Sequence, residues 1–345
     1  MKMTICAGLC ALFLGGCGGS GETHLQKGME AVARQEYRNA LAELDGAIRD
    51  GEDKEQAYRG MGLAYMGQQE YAKALASFSK ALGEAGIYPG ETEYDINYYM
   101  AICYYKLGAY DEAIGRYDAI TDLKPKEPRA WYLKGNMQLC LEDMEGAKES
   151  FEKAVAIRKN DYALYIDIYA ALMQHGLGAD AAAYLEMVDE ADPKTVSDYD
   201  KGRLCFYRGE YTQAGNYLER AREYDSSNTE LITLLGTCYK QQGQMDKAAS
   251  VYQGFAEEHN NAQICNQLGL CYAESGDYEQ ALAAFRRGKE IRENNTCMQT
   301  LRYNEIACCE YLQDYEGAAA LLQEYMEVYG KTEKLEKEYA FLTTR

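Results

Sequence analysis

The sequence predicts an all-α protein in which about nine helix pairs stack in succession and a short helix caps the C-terminal end. The first observation behind this prediction is a repeat, because small and large apolar residues recur together about every 34 residues. The second is composition, since 4 prolines among 345 residues, with abundant Ala, Leu, Glu and Tyr, favour helix throughout. No stretch alternates apolar and polar residues for long enough to predict a sheet.

The repeat is clearest around one residue that marks the start of the second helix of each pair. These anchor residues are Tyr37, Tyr71, Tyr110, Met144, Gly178, Tyr211, Met245, Tyr278 and Tyr315. An alanine stands three residues after every anchor: Ala40, Ala74, Ala113, Ala147, Ala181, Ala214, Ala248, Ala281 and Ala318. A small residue at one fixed place in every pair indicates a close contact that each pair repeats.

Each anchor has further companions at fixed distances. Seven residues after it stands a large apolar residue, in the series Leu44, Phe78, Tyr117, Phe151, Leu185, Leu218, Tyr252, Phe285 and Leu322. Nine residues before it stands a glycine in six pairs, Gly28, Gly62, Gly135, Gly202, Gly236 and Gly269, and Ala101 in the third. A second glycine precedes the anchor by two residues at Gly108, Gly176, Gly209, Gly243 and Gly276, where a left-handed residue often ends a helix.

This pattern resembles the tetratricopeptide repeat, a helix-turn-helix unit of 34 residues. The resemblance implies a right-handed superhelical solenoid in which small residues let paired helices approach closely. No unit buries its apolar face alone, so stability comes from stacking neighbours. Tyr169 and Ile306 fill the glycine position in the fifth and ninth units, where we expect changes in helix crossing.

The resemblance covers nearly the whole chain after its first residues. We expect the solenoid at 23–332, with repeats near 21–54, 55–88, 94–127, 128–161, 162–195, 195–228, 229–262, 262–295 and 299–332. Turn-rich insertions are expected around 86–90 and 294–296. Residues 333–345 are expected to form a capping helix, for which Thr332 is a suitable N-cap.

The first residues of the chain predict that it is exported, and they are not expected to be part of the solenoid. Residues 1–16 carry one charge, Lys2, and an apolar run over 5–14. That run is too short for a membrane span, which needs about 20 residues, and it suits a secretory signal peptide.

Leu14-Gly15-Gly16-Cys17 resembles the bacterial lipobox, which implies cleavage before Cys17 and a lipid on its sulfur. Residues 17–22 would then be the lipidated cysteine and a flexible tether. The expected location is the bacterial cell envelope, on the extracytoplasmic side of a membrane reached through the lipid anchor alone. A plain secretory signal or a short anchor is the alternative.

The charge balance limits the classes of partner. The chain has 36 basic and 55 acidic residues, a net charge of −19. Nucleic acid is not expected as a partner, because phosphates require clustered Lys and Arg. The acidity serves solubility or attracts a basic partner.

No enzymatic motif is found in the sequence, and neither a cofactor nor a metal is expected. The sequence lacks a P-loop, a metalloprotease motif and a Cys-x-x-Cys pair, and His24, His175 and His259 lie far apart. Nine cysteines follow Cys17. Four of them, Cys103, Cys238, Cys271 and Cys308, share one position in the repeat. Equivalent positions on stacked helices are about 8–10 Å apart, too far for a disulfide, so we expect buried thiols, and hence an envelope with little disulfide machinery.

In this family the first helices line a concave groove that receives a peptide or a partner helix. Carried over by position, the groove would include Arg59, Tyr98, Tyr105, Lys106, Tyr132, Tyr199, Arg203, Phe206, Tyr207, Lys240, Tyr303 and Tyr311. Aromatic and arginine side chains suit a binding surface, and the cations suit an acidic or aromatic ligand. Alternatively, these tyrosines only pack helix against helix.

The function that follows is a membrane-anchored scaffold that binds proteins or peptides in envelope complexes. An envelope-assembly factor for pili or outer-membrane complexes, and a structural homo-oligomer, are the alternatives. The resemblance leaves the partner and the oligomeric state open.

Overall fold

The computed structural model describes residues 22–86, 90–189, 194–291 and 297–345. The predicted signal peptide (1–16), the lipidation residue Cys17 and the tether up to residue 21 lie outside the described residues. So do 87–89 and 292–296, where the two insertions were expected. Within the described residues there are 19 helices and no strand, which confirms the predicted all-α class.

The chain forms two compact units, Met1–Asp189 and Glu190–Arg345. The first unit contains α1 (His24–Ala33), α2 (Tyr37–Asp50), α3 (Lys54–Gly67), α4 (Tyr71–Glu84), α5 (Glu91–Lys106), α6 (Tyr110–Leu123), α7 (Pro128–Cys140), α8 (Met144–Ile157), α9 (Tyr162–Gln174) and α10 (Gly178–Asp189). The second contains α11 (Asp198–Tyr207), α12 (Tyr211–Arg222), α13 (Thr229–Gln241), α14 (Met245–Glu258), α15 (Ala262–Glu274), α16 (Tyr278–Glu290), α17 (Met298–Tyr311), α18 (Tyr315–Tyr329) and α19 (Glu333–Leu342).

Helices α1 to α18 form nine pairs, each joined by a three-residue turn. Every anchor residue identified in the sequence is the first residue of a second helix. The residue two places before it has a positive φ in all nine pairs, as expected at the five glycines, which have φ from 71° to 83°. In the other four pairs that residue is Gln35, Gln69, Glu142 or Gln313, with φ from 59° to 64°. The turn geometry is therefore the same whether or not the residue is glycine.

The nine repeated alanines are all fully buried, each with 0% of its surface exposed. The large apolar residues four positions later are also buried, and Leu185 is the most exposed of them at 8%. A bulkier side chain in place of such an alanine would have to displace packed neighbours. The repeated small residue is therefore a packing position, as the sequence indicated.

The glycine of the first helix makes room for the large side chain of the second. A Cβ atom added at Gly62 would lie 2.4 Å from the ring of Phe78, and one added at Gly135 would lie 2.5 Å from the ring of Phe151. Such distances are far inside van der Waals contact, so the ring occupies the space that a side chain would need. The sequence predicted close helix approach here, and the structure shows that the space is filled by a ring.

Within each unit, the apolar core passes from one pair to the next. One cluster, for example, joins Ala101 of α5, Tyr117 of α6 and Leu133 of α7. Another joins Leu44 of α2 with Ala57 of α3. Each pair therefore completes its core with its neighbour, as expected for a solenoid.

Helix α19 covers the last pair. Its residues Leu335 and Leu342 are buried in a cluster with Leu322 of α18. The side chain of Thr332 accepts a hydrogen bond from the backbone N–H of Leu335 at 3.3 Å, which confirms the expected N-cap. The helix ends at Leu342, three residues before the expected end at residue 345.

We predict opposite effects for the same substitution at two helical glycines. Gly135→Ala should destabilise the protein by about 1–3 kcal/mol, because its Cβ would overpack the ring of Phe151. Gly115→Ala on α6 should stabilise it by about 0.5–1 kcal/mol, because no atom lies within 4 Å of the added Cβ and alanine is the better helix former. Thermal and denaturant unfolding would measure both, and equal effects would contradict the assigned packing.

Candidate binding surface

The first helices of successive pairs approach one another within each unit. Small contacts join α1 with α3, α3 with α5 and α7 with α9 in the first unit, and α11 with α13, α13 with α15 and α15 with α17 in the second, whereas α5 and α7 make no contact of that extent. Among the described residues, neighbouring second helices make no contacts of that extent. Helices in a curved stack are closest on its concave side, so the first helices form the inner face of each unit.

In the first unit, three of the predicted groove residues come together on one core cluster. Tyr98 and Tyr105 of α5 and Tyr132 of α7 all pack, partly buried, against the cluster around Tyr117. Lys106 follows Tyr105 and is exposed, with its Nζ 5.7 Å from the centroid of the Tyr105 ring. These four side chains belong to two neighbouring pairs, and the three tyrosines share one core cluster.

Arg59 of α3 lies on the same face but is already paired. Its Nη2 donates to Asp95 Oδ2 of α5 at 3.1 Å, and its guanidinium carbon is 5.8 Å from the centroid of the Tyr99 ring. The side chain is only 17% exposed. Arg59 therefore connects two repeats and contributes little free positive charge to the face.

In the second unit, Tyr199 and Phe206 of α11 pack against the core cluster of that unit. Tyr207 meets Phe206 edge-on, with ring centroids 5.7 Å apart. Lys240 of α13 is 18% exposed, and its Nζ lies 2.7 Å from Glu274 Oε1 of α15. The charge of Lys240 is therefore neutralised within the face.

Arg203 differs most from its predicted role as an accessible cation. It is buried, with 4% exposure. Its guanidinium nitrogens lie 3.7 Å from Asp200 Oδ1 and 3.7 Å from Glu230 Oε1. Arg203 thus joins α11 to α13 and is not displayed to a ligand.

The last two predicted residues lie on α17. Tyr303 donates to Glu338 Oε2 of α19 at 3.3 Å, so the capping helix reaches the inner face. Tyr311 is 65% exposed and stacks on Tyr278, with centroids 4.4 Å apart and planes at 2°. The stacking holds the exposed Tyr311 ring in one orientation.

Sequence reasoning missed Arg129 of α7, which is exposed. Its guanidinium carbon is 5.9 Å from the centroid of the Tyr98 ring of α5. Arg129 precedes Tyr132 by three residues, the same spacing by which Asp95 precedes Tyr98. Because Arg129 and Asp95 share this position in the repeat, a comparison of the repeats could have identified Arg129 as a residue of the same face.

The cysteines are suited to packing and not to nucleophilic chemistry. The four at the shared position are between 0% and 3% exposed, which confirms that they are buried. Burial raises the pKa of the Cys103 and Cys238 thiols to about 12 and that of Cys271 and Cys308 to about 11. A thiol with such a pKa stays protonated at neutral pH, and the thiolate is the nucleophile.

In the described ranges, no group of three or more His, Cys, Asp or Glu side chains is placed to hold a metal ion. None of their helices combines the length and the apolar character that a membrane span requires.

Family models match several parts of the chain. Models described as tetratricopeptide repeat match residues 25–91, 65–137 and 128–161. A model described as anaphase-promoting complex, cyclosome, subunit 3 matches 207–288. Tetratricopeptide repeats are therefore present in the first unit, and helix pairs of the same construction continue through the second.

A curated relative and two solved structures are also similar. The heat-shock protein cognate co-chaperone sgt12 of Aspergillus fumigatus is 31% identical over 99 residues, which are 29% of this chain and 28% of that protein. Yeast Tom70 has 12% identity and a TM-score of 0.53, covering 92% of this chain and 80% of that one. Human IFIT1, solved as a dimer with PPP-AAAA, has 14% identity and a TM-score of 0.54, covering 93% and 80%. At these identities the two structures establish the solenoid fold alone.

Tetratricopeptide repeats form protein-interaction scaffolds, a fold that is typically non-enzymatic. The matched repeats give this chain the fold of such a scaffold.

We predict that Arg203→Glu destabilises the fold. The change would place a third carboxylate beside Asp200 and Glu230 in a buried position, which should cost about 3 kcal/mol or more. Thermal unfolding measures the loss, and Lys148→Glu on the exposed side of α8 is the matched charge reversal. Similar midpoints for the two variants would contradict the buried placement of Arg203.

Proposed function

We propose that the protein is a lipid-anchored scaffold on the extracytoplasmic side of a bacterial membrane, where it binds proteins or peptides of envelope complexes. Cys17 carries the lipid, residues 17–22 are the tether, and the first helices of the repeats form the binding surface. The protein acts without catalysis, cofactor or nucleic acid. The lipobox-like residues before Cys17 and the net charge of −19 support the anchor and the exclusion of nucleic acid.

The observation that carries the binding role is the aromatic composition of the inner face in both units. Tyr98, Tyr105 and Tyr132 in the first unit, and Tyr199 and Phe206 in the second, are only partly buried. Aromatic side chains that pack on a core with one edge and reach solvent with the other provide large contact area at low entropic cost. By comparison, Tyr117 and Tyr252 of the second helices are fully buried.

The non-enzymatic role is supported by the chemistry of the described side chains. The buried thiols are held protonated, as their raised pKa values indicate. The inner-face cations Arg59 and Lys240 are paired with carboxylates of the next repeat. Such pairs join successive repeats.

We predict that a partner crosslinks to the inner face of the first helices and not to the second helices. A photoreactive phenylalanine would replace Lys106 or Tyr311, both exposed on first helices. Lys148 of α8 and Ser250 of α14, exposed on second helices, are the matched controls. Irradiation in native cells followed by mass spectrometry should give a discrete adduct only at the inner positions. Adducts that form only at the control positions would move the binding surface to the outer helices.

We predict that Cys17→Ala releases the protein from the membrane. In bacteria fed an alkyne-labelled fatty acid, the wild-type chain should carry the label and sediment with the membrane, whereas the variant should lose both properties. Cys140→Ala, which changes a half-buried cysteine of α7, should retain them. Fatty-acid label on the Cys17→Ala chain would refute the assigned lipidation residue.

A further inference from the structure

In the first unit, the edge at which paired helices turn carries exposed apolar side chains in neighbouring pairs. Leu107 and Leu141 directly follow α5 and α7 and are 51% and 39% exposed, and Met144, the first residue of α8, is also exposed. In the first two pairs, the position of the two leucines holds Arg34 and Gln68. The apolar edge is therefore specific to these later pairs and does not follow from the repeat itself.

Contacts between the third and fourth pairs bring these side chains to one surface. Tyr105, two residues before Leu107, packs against the core cluster that includes Met137 of α7. Burial raises the pKa of Tyr105, and the neighbouring thiol of Cys140 adds to the shift. Since Cys140 directly precedes Leu141, the turn of the third pair lies beside the turn of the fourth.

The fifth pair continues the same edge. Met173, in the last turn of α9, is 46% exposed. A Cβ atom added at Gly178, the first residue of α10, would lie 3.6 Å from the Met173 sulfur, so this side chain lies over the turn. Helix α9 contacts α7, and the exposed apolar residues therefore extend over three successive pairs.

Exposed carboxylates accompany the apolar side chains. Asp111 and Glu112 lie in the first turn of α6, Glu142 follows Leu141 directly, and Glu145 lies in the first turn of α8. All four carboxylates are exposed, and within the described ranges none of them forms an ion pair. Their charge is therefore available to a partner.

The position of these acids in the repeat does not require a negative charge. The helix macrodipole favours acidic residues near a helix N-terminus. However, the corresponding positions of α2 and α4 hold the cations Arg38 and Lys73. The combination of apolar and acidic residues is thus confined to the turns of the later pairs of this unit.

The chemistry of this edge selects one kind of partner. Methionine side chains adapt to the shape of an apolar surface that packs on them, and an amphipathic helix presents such a surface along one side. Lysines and arginines beside that apolar side would meet the carboxylates. The same carboxylates would repel an anionic membrane and a second copy of this chain, whose net charge is −19.

We propose that the turn-edge surface, formed by Leu107, Leu141, Met144, Met173 and the carboxylates beside them, binds a basic amphipathic helix of a partner protein. The apolar side of that helix lies on the leucines and methionines, and its cations meet Glu142 and the acids that begin α6 and α8. This surface lies at the turns, whereas the proposed peptide-binding surface is the inner face of the first helices. It is therefore a second partner surface, which holds whether or not the inner face binds a peptide.

The test uses the full chain with Cys17→Ala, so that the proposed lipid anchor does not contribute, and three fluorescein-labelled peptides of about 18 residues, or five helical turns. The first has leucines on one side of a helix and lysines on the other, the second has the same residues in an order without an apolar side, and the third has glutamates in place of the lysines. Fluorescence anisotropy should show that the first binds most tightly. A proline in its middle should weaken its binding, because proline breaks the helix.

Variants of the turn-edge surface locate the site. Leu107→Gln combined with Leu141→Gln should weaken the first peptide about tenfold, because two partly exposed leucines lose the apolar burial that binding provides. Glu142→Gln combined with Glu145→Gln should weaken it about two- to fivefold, as expected for exposed ion pairs. The glutamate variant changes only exposed side chains, so it keeps the test decisive if the leucine variant loses stability.

Matched variants remove the same kinds of side chain elsewhere. Leu123→Gln combined with Val328→Gln removes two exposed apolar side chains, and Glu84→Gln combined with Glu223→Gln removes two exposed carboxylates. Both should keep the affinity of the unchanged surface. Circular dichroism should show the same helix content for all four double variants.

Equal binding of the second peptide, or unchanged affinity in both turn-edge variants, would overturn the proposal. Two measurements on the chain alone test other occupants. Self-association that the leucine variant abolishes, seen by sedimentation equilibrium, would assign the surface to a second copy. Flotation with phosphatidylglycerol vesicles that the same variant abolishes would assign it to a membrane, and either result contradicts a partner helix. Crosslinking at Tyr311 tests the inner face separately, so failure here leaves the scaffold function standing.

Discussion

The contact between a small position on one helix and a large side chain on the next supports the rest of the structure. In the pairs that carry a glycine on the first helix, a ring or a leucine of the second helix occupies the space its Cβ would fill. The repeated alanine beside it is fully buried in every pair. Each pair also completes its core with a neighbour, so a helix pair is stable only when it is packed in the stack.

Because these packing contacts use one side of each first helix, its inner face can carry side chains with other roles. Side chains on the packed side are small or fully buried, whereas the inner side carries tyrosines such as Tyr98, together with Arg59 and Lys240. Some of these polar groups join successive repeats, as Arg59 with Asp95 and Lys240 with Glu274 do. Others, such as Lys106 and Arg129, have no carboxylate partner among the described residues. The same face thus contributes both cohesion between repeats and a surface for a partner.

The sequence predicted the helices and their packing well, because those depend on contacts within one repeat and its fixed spacing. The anchors, the buried alanines and the five left-handed glycines were visible as a period, whereas the four left-handed Gln and Glu residues were not. The inner face was predicted less well, since the environment of each side chain depends on the next repeat. Arg203 could not be recognised as buried without the positions of Asp200 and Glu230, and Arg129 was missed because its contact, the Tyr98 ring, lies on another helix.

The turns between paired helices show whether residue preference or helix packing determines the local backbone conformation. Gln35, Gln69, Glu142 and Gln313 adopt the left-handed conformation that glycine adopts in the other pairs, although it costs a residue with a side chain about 1 kcal/mol. The interlocked helices therefore impose the conformation of their connection. Evolution can then vary the connecting residues, and with them the chemistry of that edge, without altering how the helices fit together.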